Sequence, residues 1–119
     1  MLQVALVPAS TGDPRYPSHE CACCGGRYPV RRNGMRLFHG DTLDGDICPD
    51  CVLAGPAGAA AKIRARLAAL RKESGEGGGE RKRVSLVRLL SRRARLLDGT
   101  PSFSLAARQA AVRETRERR

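Results

Sequence analysis

Cys21-Ala-Cys-Cys-Gly25 and Cys48-Pro-Asp-Cys51 are the stretches on which the reading of this chain turns. Each contains a C-x-x-C knuckle, Cys21/Cys24 and Cys48/Cys51. Two residues between thiolates let the backbone fold around one ion and offer both sulfurs at tetrahedral angles. Four such sulfurs make a closed structural zinc site. Gly25, directly after the second thiolate, suits a turn that aims backbone N–H groups at sulfur. The 23 residues between Cys24 and Cys48 slightly exceed the usual spacing of paired knuckles; a hairpin and an Asp41–Asp46 loop can absorb the excess. Cys23 is surplus. It could replace Cys21 or Cys24 as a ligand, but the Cys24-Gly25 pairing favours an idle thiol. The expected ligands are therefore Cys21, Cys24, Cys48 and Cys51, around one structural Zn2+ ion.

Working outward, composition explains why an ion is needed. The chain has 119 residues, no Trp, and only Tyr16, Tyr28, Phe38 and Phe103 as aromatics. So short a chain with so few large apolar side chains cannot build a deep core by burial alone, and such domains usually recruit metal, disulfides or a partner. Most self-contained enzyme folds are disfavoured on that ground. Five closely spaced cysteines, an odd number without a secretion signal, favour metal over a disulfide framework and a reducing, cytoplasmic setting. The uncharged run Cys51–Ala61 is broken by Gly and Pro and is well short of the roughly 20 residues of a spanning helix. Met1–Val7 lacks a basic leader and reads as a short strand stopped by Pro8.

Local signals place the remaining elements. Residues 8–20, with Pro8, Gly12, Pro14 and Pro17, read as irregular loop. Asn33-Gly34 lies between two short alternating segments, 27–32 and 35–39, and predicts a hairpin with a type I′ turn. Pro29 would confine its strand to an edge, and Asp44-Gly45 suggests a second turn. Tyr28, Val30, Leu37 and Phe38 are the expected small core. A first helix is predicted from Pro56 to about Glu73, with Ala60, Ile63, Leu67 and Leu70 as its apolar stripe. Residues 74–80 are Gly-rich linker. A second helix runs from about Arg83 to Leu97, closed by Gly99 in a left-handed cap, and a third starts at Thr100-Pro101-Ser102 and runs towards Arg116. The expected division is a finger at 1–73, the linker at 74–80, and a basic two-helix arm at 81–119.

Between about Glu20 and Leu70 the chain resembles zinc-ribbon and treble-clef fingers: knuckle, hairpin, second knuckle, helix. The resemblance rests on Cys21, Cys24, Gly25, Cys48 and Cys51 and implies a small α+β zinc finger with a structural ion. Cys48-Pro49 and the downstream helix lean towards the treble clef, whereas Gly55-Pro56 interrupts the expected direct helix. Treble-clef nucleases of the HNH type also carry paired knuckles. Their motif needs an Asp-His pair at the hairpin and an Asn or His on the following helix. Here Phe38 precedes His39, and neither Asn nor His follows Cys51. A degenerate nuclease is thus the weakest reading, and His39 is expected to be a solvated strand-end residue. Asp41, Asp44 and Asp46 lack the spacing and terminal Glu of a calcium loop and read as an acidic, solvated turn.

Charge separates the halves. The net charge is +10; residues 1–60 carry five basic and six acidic side chains, and residues 61–119 carry seventeen and six. Along Arg81–Arg95 a helical projection gathers Val84, Leu86, Val87, Leu89, Leu90, Leu96 and Leu97 on one side, with Arg81, Arg88, Arg92 and Arg95 opposite. Stacked like charges repel, a cost that a polyanion would relieve, and guanidinium groups grip phosphate bidentately. The expected function is non-catalytic contact with a DNA or RNA backbone through Arg81, Arg83, Arg88, Arg92, Arg93 and Arg95. The absence of aromatics from the arm, Phe103 apart, argues against stacking on single-stranded bases. The alternative is an adaptor docking on an acidic protein or membrane surface or a larger assembly. The Leu-rich face of residues 84–97, more apolar than the third helix can cover, is expected to dock on the finger, on another copy or on a larger complex. The second and third helices could also pair as a helical hairpin or loose helix-turn-helix.

Overall fold

Alternating burial along β4 (Asn33–His39) organises the sheet: Met35 and Leu37 point inward and Arg36 outward. In the computed structural model, which describes residues 1–8, 18–30, 33–72 and 80–117, β4 is the central strand of a three-stranded antiparallel sheet. The expected N-terminal strand, β1 (Gln3–Pro8), lies on one side, with Val4 opposite Leu37 and Leu6 opposite Met35. On the other side lies β5 (Thr42–Asp46). Two short strands, β2 (Ser18–Glu20) and β3 (Arg27–Pro29), form a second antiparallel sheet that brackets the first knuckle.

This corrects the expected hairpin. Asn33-Gly34 makes no turn: both residues lie inside β4, opposite Pro8 and Val7, and neither has a positive φ. Pairing with a strand some thirty residues upstream overrides the local turn chemistry. Residues 27–29 pair with 18–20 instead of 35–39. The β4–β5 turn falls at Gly40, whose φ of 61° is the left-handed conformation that glycine adopts without a Cβ penalty. Arg31 and Arg32 of the expected first segment lie outside the described residues.

The first helix, α1 (Pro49–Lys72), begins a full knuckle earlier than expected and carries Cys51 in its first turn. Pro49 suits that position because its missing N–H would have no partner there. Gly55, at φ 79° and ψ 172°, interrupts the helix, and Pro56 restarts it. α2 (Glu80–Asp98) and α3 (Leu105–Glu117) follow. Their junction also differs from expectation. Gly99 has no positive φ; Thr100 closes α2 instead, its hydroxyl donating to Leu96 O at 2.8 Å and accepting the Leu2 N–H at 2.9 Å. The cap of α3 is Ser104, whose Oγ accepts the Ala107 N–H at 3.1 Å.

The segment read as a basic arm joins the core, and of the three partners expected for its Leu-rich face it is the finger's helix that receives it. α2 and α3 each pack against α1, and α3 reaches β1 and β4. Leu90, Ala94, Leu97, Phe103, Ala107 and Ala111 join Leu2, Met35, Leu37, Ile47, Val52, Ile63 and Leu67 in one buried cluster. The Leu-rich face of α2 is therefore largely occupied within the chain: Leu90 and Leu97 are buried, Leu86, Val87 and Leu96 partly so, and Val84 and Leu89 remain exposed. Of the expected finger core, Tyr28 and Leu37 are buried and Val30 is partly buried. Phe38 falls on the opposite face of the sheet from Leu37 and is half-buried there. Residues 74–79 of the expected linker lie outside the described residues; Glu80 already opens α2. Among the described residues no helix is long and apolar enough to cross a membrane.

Candidate metal centre

Two structural environments bring the four expected sulfurs together. The loop between β2 and β3 supplies Cys21 and Cys24, closed by a Gly25 N–H to Cys21 O hydrogen bond of 2.9 Å with Gly25 at φ 77°. The entry to α1 supplies Cys48 and Cys51. The Sγ atoms of Cys21, Cys24, Cys48 and Cys51 all lie within 4.8 Å of one another. The Cys21–Cys51 and Cys24–Cys48 separations are 3.7 and 3.8 Å. A tetrahedron with metal–sulfur bonds of about 2.3 Å has edges of about 3.8 Å, so this group could hold one metal ion, in a geometry compatible with zinc.

The surroundings are those of thiolates. Cys21 Sγ accepts the Cys23 and Cys48 N–H groups at 3.4 and 3.3 Å. Cys24 Sγ accepts the Gly26 N–H at 3.4 Å, and Cys48 Sγ accepts the Cys51 N–H at 3.4 Å. The Lys62 ammonium lies 3.7 Å from Cys51 Sγ. Donors converging on sulfur favour the charged form. Hydrogen bonds from Cys23, Cys48 and Cys51 hold the Cys21 thiol far below its ordinary pKa. Hydrogen bonds with Cys21 and then Cys48, followed by burial, drive Cys51 strongly upward, and Cys48 is pushed up to about 12, chiefly by Cys21. Protein donors alone thus stabilise one thiolate at its neighbours' expense. A bound cation is what would let all four ionise together.

Cys23 is not idle. It is fully buried, its N–H serves Cys21, and its hydrogen bond to Cys21, with burial, holds its own thiol well above the ordinary range. It is a protonated neighbour of the cluster and lies outside the group of four.

Two arginines hold the first knuckle from outside. Arg66 of α1 donates to Ala22 O and Cys23 O at 3.3 and 3.0 Å. Its guanidinium lies so close to Gly25 that a Cβ there would meet it at 3.0 Å. Arg93 of α2 donates to Ala22 O at 2.7 Å, to Asp44 Oδ2 at 2.7 Å and to Asp44 O at 2.9 Å. Both side chains of the Arg93–Asp44 pair are nearly inaccessible, at 5% and 6% exposure. The expectation that Arg93 grips phosphate is therefore corrected: its donors are spent inside the protein. Asp44, expected in a solvated acidic turn, is its buried counter-charge. A sequence signal existed for Arg93, because it lies on the buried stripe Leu86, Leu90, Leu97 at helical spacing. Arg66 likewise falls beside Ile63 and Leu67.

The other expected contact residues have different settings. Arg88, Arg92 and Arg95 are exposed on α2. Arg92 lies 3.4 Å from His39 Nδ1 and 3.9 Å from Asp44 Oδ1, so His39 has a cationic neighbour at its strand end. Arg83 is half-buried and engaged in an interaction of its own. The side chain of Arg81 is outside the described set. The remaining aspartate of the turn with a described ion pair, Asp46, faces His19 at 3.4 Å and Arg36 at 3.7 Å. No protein-family model, curated protein or solved structure matches the chain.

Proposed function

We propose that this chain is a zinc-stapled, non-catalytic protein of treble-clef type that contacts nucleic acid through phosphate. Zinc is favoured by the all-sulfur donor set and the near-tetrahedral spacing. When bound, the ion supplies charge that lets all four cysteines ionise. Four protein ligands leave no position for an activated water, which supports a structural role. The treble-clef reading is supported by the second knuckle opening directly into α1, with Cys51 in its first turn.

The observation carrying the nucleic-acid reading is that Arg88, Arg92 and Arg95 remain exposed along one face of α2 in a chain of net charge +10. Positions at i, i+4 and i+7 share a helix face, so their repulsion is relieved by a line of phosphates. The test is duplex binding by metal-loaded protein across a salt series. Affinity should fall steeply with salt, and R88Q/R92Q should lower the log–log slope by about 2. A salt-independent association, or an unchanged slope, contradicts the reading. A second reading, docking on a larger protein, is favoured by exposed Val84 and Leu89; salt-tolerant capture of one protein, lost in L89S, would support it.

A further inference from the structure

Cys51 stands in the first turn of α1 and Lys62 follows 11 residues later on the same element, yet the Lys62 ammonium lies 3.7 Å from Cys51 Sγ. An unbroken helix forbids that contact. Eleven residues at the α-helical rise span about 16 Å, well beyond the reach of one four-carbon lysine stem. The break at Gly55, with φ 79° and ψ 172°, turns the chain so that the second stretch of α1 comes back past the sulfurs. A Cβ on Gly55 would meet nothing within 4 Å, so glycine is required there by its backbone angles and not by space. Arg66, one turn beyond Lys62, reaches the first knuckle too, but its described donors go to Ala22 O and Cys23 O.

We infer that Lys62 is the counter-charge of the metal centre: its ammonium, seated on Cys51 Sγ, offsets the negative charge of the four thiolates and so sets how firmly the ion is retained. The inference rests on the four-sulfur zinc reading above and adds to it a residue outside the ligand set. Four thiolates around one divalent cation leave a dianion, and Cys21 and Cys51 are fully buried. Buried charge is costly unless it is paired. The backbone N–H groups of Cys23, Cys48, Gly26 and Cys51 serve Cys21, Cys24 and Cys48, and they bring dipoles without net charge. The donor described on Cys51 Sγ from outside the four cysteines is Lys62, and it carries a full positive charge. Arg93, although buried nearby, is neutralised by Asp44. Lys62 itself is half-buried, so its charge acts through a medium that screens less than bulk water.

The experiment uses full-length protein loaded with one equivalent of zinc or of cobalt. K62Q is compared with K72Q, which removes the same charge from an exposed position in the last turn of α1, and with K62R, which keeps it. Metal affinity is read by competition with a chromophoric chelator, and coordination by the visible absorption of the cobalt form. Removing an outer partner of a metal ligand typically costs about 10–100-fold in affinity. K62Q should therefore weaken zinc binding about tenfold, with K62R recovering most of the loss and K72Q within about twofold of wild type. The K62Q loss should shrink in about 1 M salt, which screens a charge and leaves packing untouched. The tetrahedral cobalt bands should persist in K62Q, because the four ligands are unchanged. Their disappearance would make Lys62 a determinant of shape and overturn the counter-charge. Equal affinity of K62Q and wild type, or a loss that neither K62R nor salt reduces, overturns it while the four-sulfur site stands. A wild-type protein that holds neither zinc nor cobalt removes the site and the counter-charge together.

Discussion

Tyr28 shows what the small core around the four sulfurs demands of single residues. Its ring is buried beside His19, with centroids 6.0 Å apart, and its hydroxyl is buried without a hydrogen-bond partner among the described residues. An unmet buried hydroxyl costs about 1–3 kcal/mol. Tyr28→Phe should therefore leave the protein equally stable or more stable by about 1 kcal/mol in urea unfolding; a loss of that size would show that the hydroxyl has a partner. Burial first, and then the Asp46 carboxylate, holds the phenol well above its ordinary pKa. A group raised in the folded state contributes stability that is intact below its unfolded pKa, about 10, and is lost as pH climbs beyond it. Alkaline destabilisation above about pH 10 should accordingly be shallower in Tyr28→Phe than in wild type.

At the scale of elements, α2 is joined to β5 and the first knuckle by the Arg93–Asp44 pair. Removing one partner of a buried ion pair typically costs about 3–5 kcal/mol, because the other is left charged and dry. Arg93→Met should lower the unfolding free energy by about that amount, and adding Asp44→Leu should recover much of it. Additive losses, or a cost below about 0.5 kcal/mol for Arg93→Met, would contradict the latch. These elements also mark where the sequence was legible. The knuckles, β1 and α2 were readable because each signal is local: thiol spacing, a proline stop, a periodic stripe. Asn33-Gly34 misled because its neighbour across the sheet, β1, is invisible to a local rule and made the pair ordinary strand. Arg93 was grouped with its exposed neighbours by charge, although its position relative to Leu90 and Leu97 is that of a core residue.

For the whole molecule, the four sulfurs, the two arginines on Ala22 and the shared helical core form one dependent system. The knuckle carbonyls that Arg66 and Arg93 use are presented by a loop that the cysteines close. Among the described residues the buried aromatics are Tyr28 and Phe103, so apolar burial there leaves little margin. Binding free energy at a structural zinc site, of order 10–16 kcal/mol in small fingers, is folding free energy, and it exceeds the marginal stability of a typical small domain. The most direct test is the amide ¹H–¹⁵N spectrum of full-length protein before and after chelation, then after one equivalent of zinc. Stripping the ion should collapse the dispersed signals of the first knuckle, β4, β5 and α2 together, and one equivalent should restore them; a dispersed spectrum that survives chelation unchanged would contradict the account.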